Sequence, residues 1–228
     1  MSGILTNGVL ISTADTWTKF YTVPAETAAV CSLNLCNNTN SAVNIAIAIC
    51  ESAGGPEDEP SGVFESKTVL DGRGFMERSA LVIPGGHAIW VKASAANTIS
   101  VSVYGFDSAL PEGTRVAKAA YVFSKGGYQL VYTCPDSAVA SFNVNFVNTS
   151  TSGYLNLYIA LRSASDKSVG RANQIITDYE VAPGGVIELT SLCLGAGQML
   201  YCKTTSTVSA TLGSGVINVY GYETSIAK

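Results

Sequence analysis

Along most of this chain apolar and polar residues alternate with period two, the spacing of strands with one buried face. Cys31, Leu33 and Leu35 alternate with Ser32, Asn34 and Cys36; after a turn over Asn37–Ser41, Val43, Ile45, Ile47 and Ile49 alternate with Asn44, Ala46 and Ala48. The pattern predicts a β-hairpin here, with Leu35 facing Ile45 and Cys36 facing Asn44. Farther on, Ala80–Ile83, a Pro84-Gly85-Gly86 turn and Ala88–Ala93 predict another strand pair, and Ser100–Phe106 a closing strand. Helical periodicity is almost absent. Short strands with turn signals every 8 to 12 residues suggest a β-sandwich.

The same pattern then runs a second time. Phe20-Tyr21-Thr22-Val23-Pro24 returns as Val131-Tyr132-Thr133-Cys134-Pro135, and Leu33-Asn34-Leu35-Cys36-Asn37 returns at the same offset as Val144-Asn145-Phe146-Val147-Asn148. Val103-Tyr104-Gly105-Phe106-Asp107 returns as Val219-Tyr220-Gly221-Tyr222-Glu223. Phe142–Phe146 and Leu155–Leu161 repeat the first strand pair, Ser191–Leu194 and Met199–Lys203 the second. The expected fold is all-β: two tandem antiparallel β-sandwich domains, jelly-roll or immunoglobulin-like. Module one covers residues 1–107, a short linker 108–113, and module two 114–228. The linker is too short for a free tether. The copies differ in loops: the acidic Glu57-Asp58-Glu59 stretch belongs to the first alone, and an insertion around Thr204–Gly215 to the second.

Composition narrows the function. The chain of 228 residues is 47% apolar, with 13% charged residues, about half the usual share. Such a chain suggests surfaces buried against other chains. Net charge is −4, with no basic stripe, which argues against nucleic-acid binding. No apolar run approaches the ~18 residues of a membrane helix. The opening Met1-Ser2-Gly3-Ile4-Leu5 lacks the basic and apolar regions of a signal peptide, so synthesis in a cytoplasm is expected. Asn37-Asn38-Thr39 and Asn148-Thr149-Ser150 fit the glycosylation sequon but read better as turns.

Aligning the copies filters the candidate chemistry. The six cysteines never align with one another, and five stand where the sister copy is apolar, which argues against a disulfide intrinsic to the module. They read as small buried hydrophobes or as crosslinks between modules or chains, with Cys36 and Cys50, on the less apolar face, the best crosslinking candidates. The one histidine, His87, has Gln198 as counterpart and reads as a turn residue. No nucleophile elbow, phosphate loop or zinc motif is present, and the acidic loop lacks the spaced oxygen pattern of a calcium site. No catalytic residue, metal or cofactor is expected. Two pairs match between copies. Glu77 and Glu188 each precede an apolar run and are interface candidates, and Glu77 with Arg78 suggests edge-strand charges. Trp90 and Tyr201 sit between apolar neighbours and read as core aromatics, interface anchors or a sugar-stacking platform.

The ordered series Tyr-Thr-Val-Pro at 21–24, Cys-Asn-Asn at 36–38, Val-Asn-Ile-Ala-Ile-Ala at 43–48, Pro-Gly-Gly at 84–86, Val-Lys-Ala-Ser-Ala at 91–95 and Val-Tyr-Gly-Phe at 103–106 resembles a small β-sandwich module of tailed-bacteriophage virion proteins, of neck, collar, fibre or head-decoration type. Module two departs from it at Cys134 and at Thr204-Thr205-Ser206-Thr207. The resemblance implies a non-enzymatic virion protein, neck or collar or tail-associated, made in the host cytoplasm. Its partners would be further copies of itself and other virion proteins, with interchain disulfides among the options. A carbohydrate- or receptor-binding fibre module and a capsid decoration protein are the alternatives.

Overall fold

The computed structural model describes residues 3–123, 126–163, 165–166, 168–206 and 215–226. The chain divides into two compact units, Met1–Pro111 and Glu112–Lys228. In the first, eight strands run β1 (Gly3–Leu10), β2 (Thr18–Thr22), β3 (Ala28–Asn37), β4 (Val43–Glu51), β5 (Val63–Leu70), β6 (Phe75–Pro84), β7 (His87–Ala93) and β8 (Ile99–Ser108). The second repeats them as β9 (Thr114–Phe123), β10 (Gln129–Thr133), β11 (Ala138–Asn148), β12 (Leu155–Arg162), β13 (Gln174–Val181), β14 (Val186–Leu194), β15 (Met199–Ser206) and β16 (Gly215–Ser225).

Each unit is two four-stranded antiparallel sheets, in the orders β1-β8-β3-β6 and β2-β7-β4-β5, repeated as β9-β16-β11-β14 and β10-β15-β12-β13. Eight strands in this order make a jelly roll, which settles the choice between the two sandwich types. Leu33, Leu35, Ile45, Ile47, Ile89 and Val101 fill the first core, and Phe123, Phe142, Phe146, Leu157, Ile159 and Ile217 the second.

The predicted hairpin and its repeat are not hairpins, and the later strand pairs are not hydrogen-bonded neighbours either. β3 pairs with β8 and β6, whereas β4 pairs with β7 and β5. Leu35 thus lies opposite Val101 and Met76, not Ile45, and Cys36 opposite Ser100 and Phe75, not Asn44. The same holds for β6 and β7, β11 and β12, and β14 and β15. Alternation fixes which face of a strand is apolar, not which strand lies beside it. Here the two strands on either side of each of these turns lie in opposite sheets of the sandwich.

Matched polar side chains hold these corners. Asn37 is fully buried where β3 turns toward β4, and its Nδ2 donates to the carbonyls of Ser41 (2.8 Å), Leu70 (3.0 Å) and Asp71 (3.0 Å). Asn148 does the same in module two, donating to Gly153 (2.8 Å) and Val181 (3.0 Å). Both asparagines of the sequon-like stretches are therefore staples inside the fold.

The flanks are clasped as well. Tyr21 of β2 donates its hydroxyl to Asp107 of β8 at 3.0 Å, and Tyr132 of β10 to Glu223 of β16 at 2.5 Å, joining the two sheets of each unit. Burial first, then the carboxylate neighbour, raises both tyrosine pKa values. On the other flank of module one, Arg78 of β6 meets the fully buried Glu65 of β5 at 2.5 Å, and Thr68 Oγ1 donates to the same carboxylate at 2.6 Å. Module two places Ile176 and Leu189 there, packed on its core.

Candidate functional site

In each unit the side chains turned away from the core form two outer faces. The face of β2-β7-β4-β5 carries Trp90, because the flanking Ile89 and Val91 point inward and are fully buried. Lys19 Nζ stands 5.5 Å from the Trp90 ring centroid, and Lys92 Nζ 4.8 Å from that of Trp17, both within cation–π range. Trp90 is half-buried: the loop after β4 folds back over it, placing Gly55 against the indole. Its Nε1 is buried without a hydrogen-bond partner. The acidic stretch belongs to this loop, with Glu59 accepting the Glu51 N–H at 2.9 Å.

The matching face of module two is richer in aromatic and polar groups. Lys203 Nζ lies 3.9 Å from the Tyr158 ring centroid and 5.5 Å from that of Tyr128, and the Arg162 guanidinium lies 5.0 Å from that of Tyr201. Tyr158 Oη and Asn156 Nδ2 both donate to Asp178 Oδ1 at 2.6 Å. These donors hold the Asp178 carboxyl below its usual range, while the carboxylate raises the Tyr158 hydroxyl. Tyr158 takes the position of Ala46, so module one has a recess beside Lys92 where module two has a ring.

Glu77 and Glu188 belong to the opposite sheets, away from Trp90 and Tyr201. Each meets a tyrosine on its outer face. Glu77 accepts from Ser79 Oγ at 2.6 Å and from Tyr104, and both bonds lower its pKa. Glu188 accepts from Tyr220. Tyr104 and Tyr220 come from the two Val-Tyr-Gly motifs, so the repeated Glu and the repeated Tyr form one repeated pair. That match was visible in the sequence; the partnership was not, because the two residues are far apart in the chain.

Around Glu77 the outer face of β1-β8-β3-β6 is nearly free of charge. One row across it reads Ile4, Phe106, Val30 and Val82, and a row near the other end Leu10, Ser100, Cys36 and Phe75. Ile4 is 91% exposed and Phe75 73%. This apolar face was not legible in the sequence, because its rows are assembled from β1, β8, β3 and β6, strands far apart in the chain.

The cysteines divide differently from expectation. All six are thiols. Cys31, Cys50, Cys134 and Cys202 are buried, and burial pushes the Cys31 thiol up to about 12. Cys50 does lie on the outward side of β4, but the segment around Gly62 covers it, which removes it as a link to another chain. Cys36 is half-buried. Cys193, read as a small buried hydrophobe, is exposed on β14. His87 opens β7, its Nδ1 3.3 Å from the Gly85 carbonyl oxygen. Among the described residues no three His, Cys, Asp or Glu side chains come together as metal ligands, and no helix is long and apolar enough to cross a membrane. Residues 207–214 of the second module's insertion lie outside the described residues.

No protein-family profile and no curated protein sequence matches the chain. Solved structures similar to it include the STIV major capsid protein, at 10% identity over 97% of each chain with a TM-score of 0.35. Another is infectious bursal disease virus Gx strain, at 10% identity over 96% of this chain and 72% of that one, TM-score 0.27. A third is PNGase F, a glycosylasparaginase from Flavobacterium meningosepticum, at 12% identity over 99% and 96%, TM-score 0.36. Likeness at this level carries no argument about this chain.

Proposed function

We propose that this chain is a non-enzymatic virion structural protein, a neck, collar or tail-associated component that works by assembling with further copies of itself and with other virion proteins. The observation that carries this reading is the outer face of β1-β8-β3-β6. Charge depletion with exposed aromatic and aliphatic side chains is the composition of the buried centre of a protein interface, and here Glu77 is already engaged by Ser79 and Tyr104. The jelly-roll strand order agrees with the reading but does not choose it, because capsid and lectin domains both use it. The ordered motifs resembling phage modules supply the virion context. Any interchain disulfide would use Cys193 or Cys36, not Cys50.

Sedimentation velocity with and without reductant, followed by electron microscopy of the main species, tests this. A defined oligomer is expected, weakened by Phe75→Lys. A monodisperse monomer at every concentration sinks the reading.

A second reading, a glycan-binding fibre module, is favoured by the outer face of module two. Tyr158 and Tyr128 present rings beside the Asp178, Asn156 and Lys203 polar groups, a combination suited to stacking and hydrogen bonding a sugar. A glycan array probed with the assembled protein, with Tyr158→Ala as control, decides it: binding lost in the variant supports the reading, and silence removes it.

A further inference from the structure

A sheet edge is a row of unpaired N–H and C=O groups, and proteins blunt such edges with bulges, charges or proline. Among the described residues the two jelly rolls have eight edge strands, and six of them carry a register shift against their neighbour: β2, β5, β6, β10, β13 and β14. The two without one are β1 and its counterpart β9. β9 carries Arg115 and Lys118. β1, Gly-Ile-Leu-Thr-Asn-Gly-Val-Leu, carries no charge and no proline, and pairs without interruption from Gly3 to Leu10. Of its residues only Leu5 is buried.

The direction of its free groups follows from its neighbours. Just past β1, the Ile11 N–H bonds to the Ile99 carbonyl at 2.9 Å, on the β8 side. Backbone groups of successive strand residues point to opposite sides, so residues 5, 7 and 9 face β8 and residues 4, 6, 8 and 10 face the open edge. The Gly8 N–H agrees: its partner is the Asn7 side-chain oxygen at 2.9 Å, not a strand.

We propose that β1 is the strand through which two copies of this chain join, antiparallel and centred on Asn7, so that two four-stranded sheets become one. This rests on the assembly reading above and names its first contact. The sequence of β1 is self-complementary about Asn7. Ile4 then meets the partner's Leu10, Leu5 meets the partner's Val9, and Thr6 meets the partner's Gly8. Outward-facing residues pair with outward-facing ones, so each hydrogen-bonded pair draws on groups that are open in the single chain. Apolar meets apolar on both faces, and the small pair lies beside the axis. The Asn7 side chain must release the Gly8 N–H as the strands meet. A two-fold contact of this kind uses the same patch on both copies and closes.

Thr6→Pro tests the edge directly. It removes an outward N–H and leaves the bonds to β8 intact, a position at which an edge strand tolerates proline. The variant is expected to keep the melting temperature of the parent chain and to weaken self-association by roughly tenfold or more in sedimentation velocity, since the two-fold contact loses two symmetry-related hydrogen bonds. Thr6→Lys, which keeps the backbone donor and adds edge charge, is expected to act in the same direction and guards against a folding defect in the proline variant. Asn7→Cys, in a Cys36→Ser, Cys193→Ser background, tests the register. Opposed residues of a non-hydrogen-bonded pair have Cα atoms about 4.5 Å apart, within disulfide reach, so mild oxidation gives a covalent dimer where Thr6→Cys does not. If the parent chain self-associates while Thr6→Pro and Thr6→Lys associate equally well, the β1 contact is wrong and the assembly reading stands. Failure of Asn7→Cys to crosslink in the assembled protein overturns the contact too. A parent chain that stays monomeric overturns both.

Discussion

Asn37 shows how much one side chain holds here. It sits fully buried and satisfies three carbonyls around the first corner, while Thr39 returns a backbone N–H to its Oδ1 at 3.0 Å. Asn37→Ala leaves those groups without partners, so a loss of about 2–3 kcal/mol is expected in urea denaturation. The sequence marked Asn37 and Asn148 as matched turn residues. It gave no sign that their side chains are internal, since their carbonyl partners at Leu70 and Val181 come from another strand and backbone carbonyls carry no sequence signature. Thiol chemistry is the second residue-scale test. Cys193 is exposed and Cys36 half-buried, whereas burial shields the remaining four and holds Cys31 as the unreactive thiol. Brief alkylation of the native protein followed by mass spectrometry is expected to label Cys193 first, Cys36 more slowly, and the others only after unfolding. Early labelling of Cys50 would contradict the cover provided by the Gly62 segment.

At the scale of elements, the repeat separates what the fold requires from what one copy has alone. Positive-φ residues sit at Lys67 and Ala80 in the first unit and at the matching Asp178 and Ser191 in the second, each beside a register shift of an edge strand. Four non-glycine residues held in the left-handed region show that these bulges belong to the module. Ala80→Gly removes a cost of about 1 kcal/mol from that conformation, so a gain somewhat below that figure is expected once the looser unfolded chain is counted; a loss of stability would mean that the Ala80 methyl packs usefully. The Glu65–Arg78 clasp is the opposite case, since module two does without it. Buried ion pairs are often replaced by apolar side chains at no loss, while removing one partner costs about 3–5 kcal/mol. The pair Glu65→Ile with Arg78→Leu, borrowed from Ile176 and Leu189, is therefore expected to match or exceed the parent stability. Arg78→Leu alone takes the counter-charge from the buried Glu65 carboxylate and falls well below it. Strand positions and buried faces were legible from period-two alternation. Strand neighbours were not: a sandwich corner and a hairpin have the same turn residues and the same alternation, and only long-range pairing tells them apart.

For the whole molecule, the duplication means two cores in one chain. In the second unit a core of its own runs from Ala117 to Val219. Units of this size bury about two-thirds of their unfolded surface and need no staple to fold, and neither contains a disulfide. Residues 1–111 and 112–228, expressed separately, are accordingly expected to give two folded proteins with cooperative melting transitions. Asn37→Ala then lowers the first half's midpoint by on the order of 10 °C, and Asn148→Ala lowers that of the second. The separated halves also locate self-association. β1 lies in the first half and is uncharged, while β9 in the second is guarded by Arg115 and Lys118. If β1 is the joining strand, residues 1–111 alone reproduce the self-association of the full chain and residues 112–228 stay monomeric. The reverse distribution, measured by sedimentation at matched concentrations, would move the contact to the second jelly roll, where Cys193 and the Tyr158–Asp178 face lie.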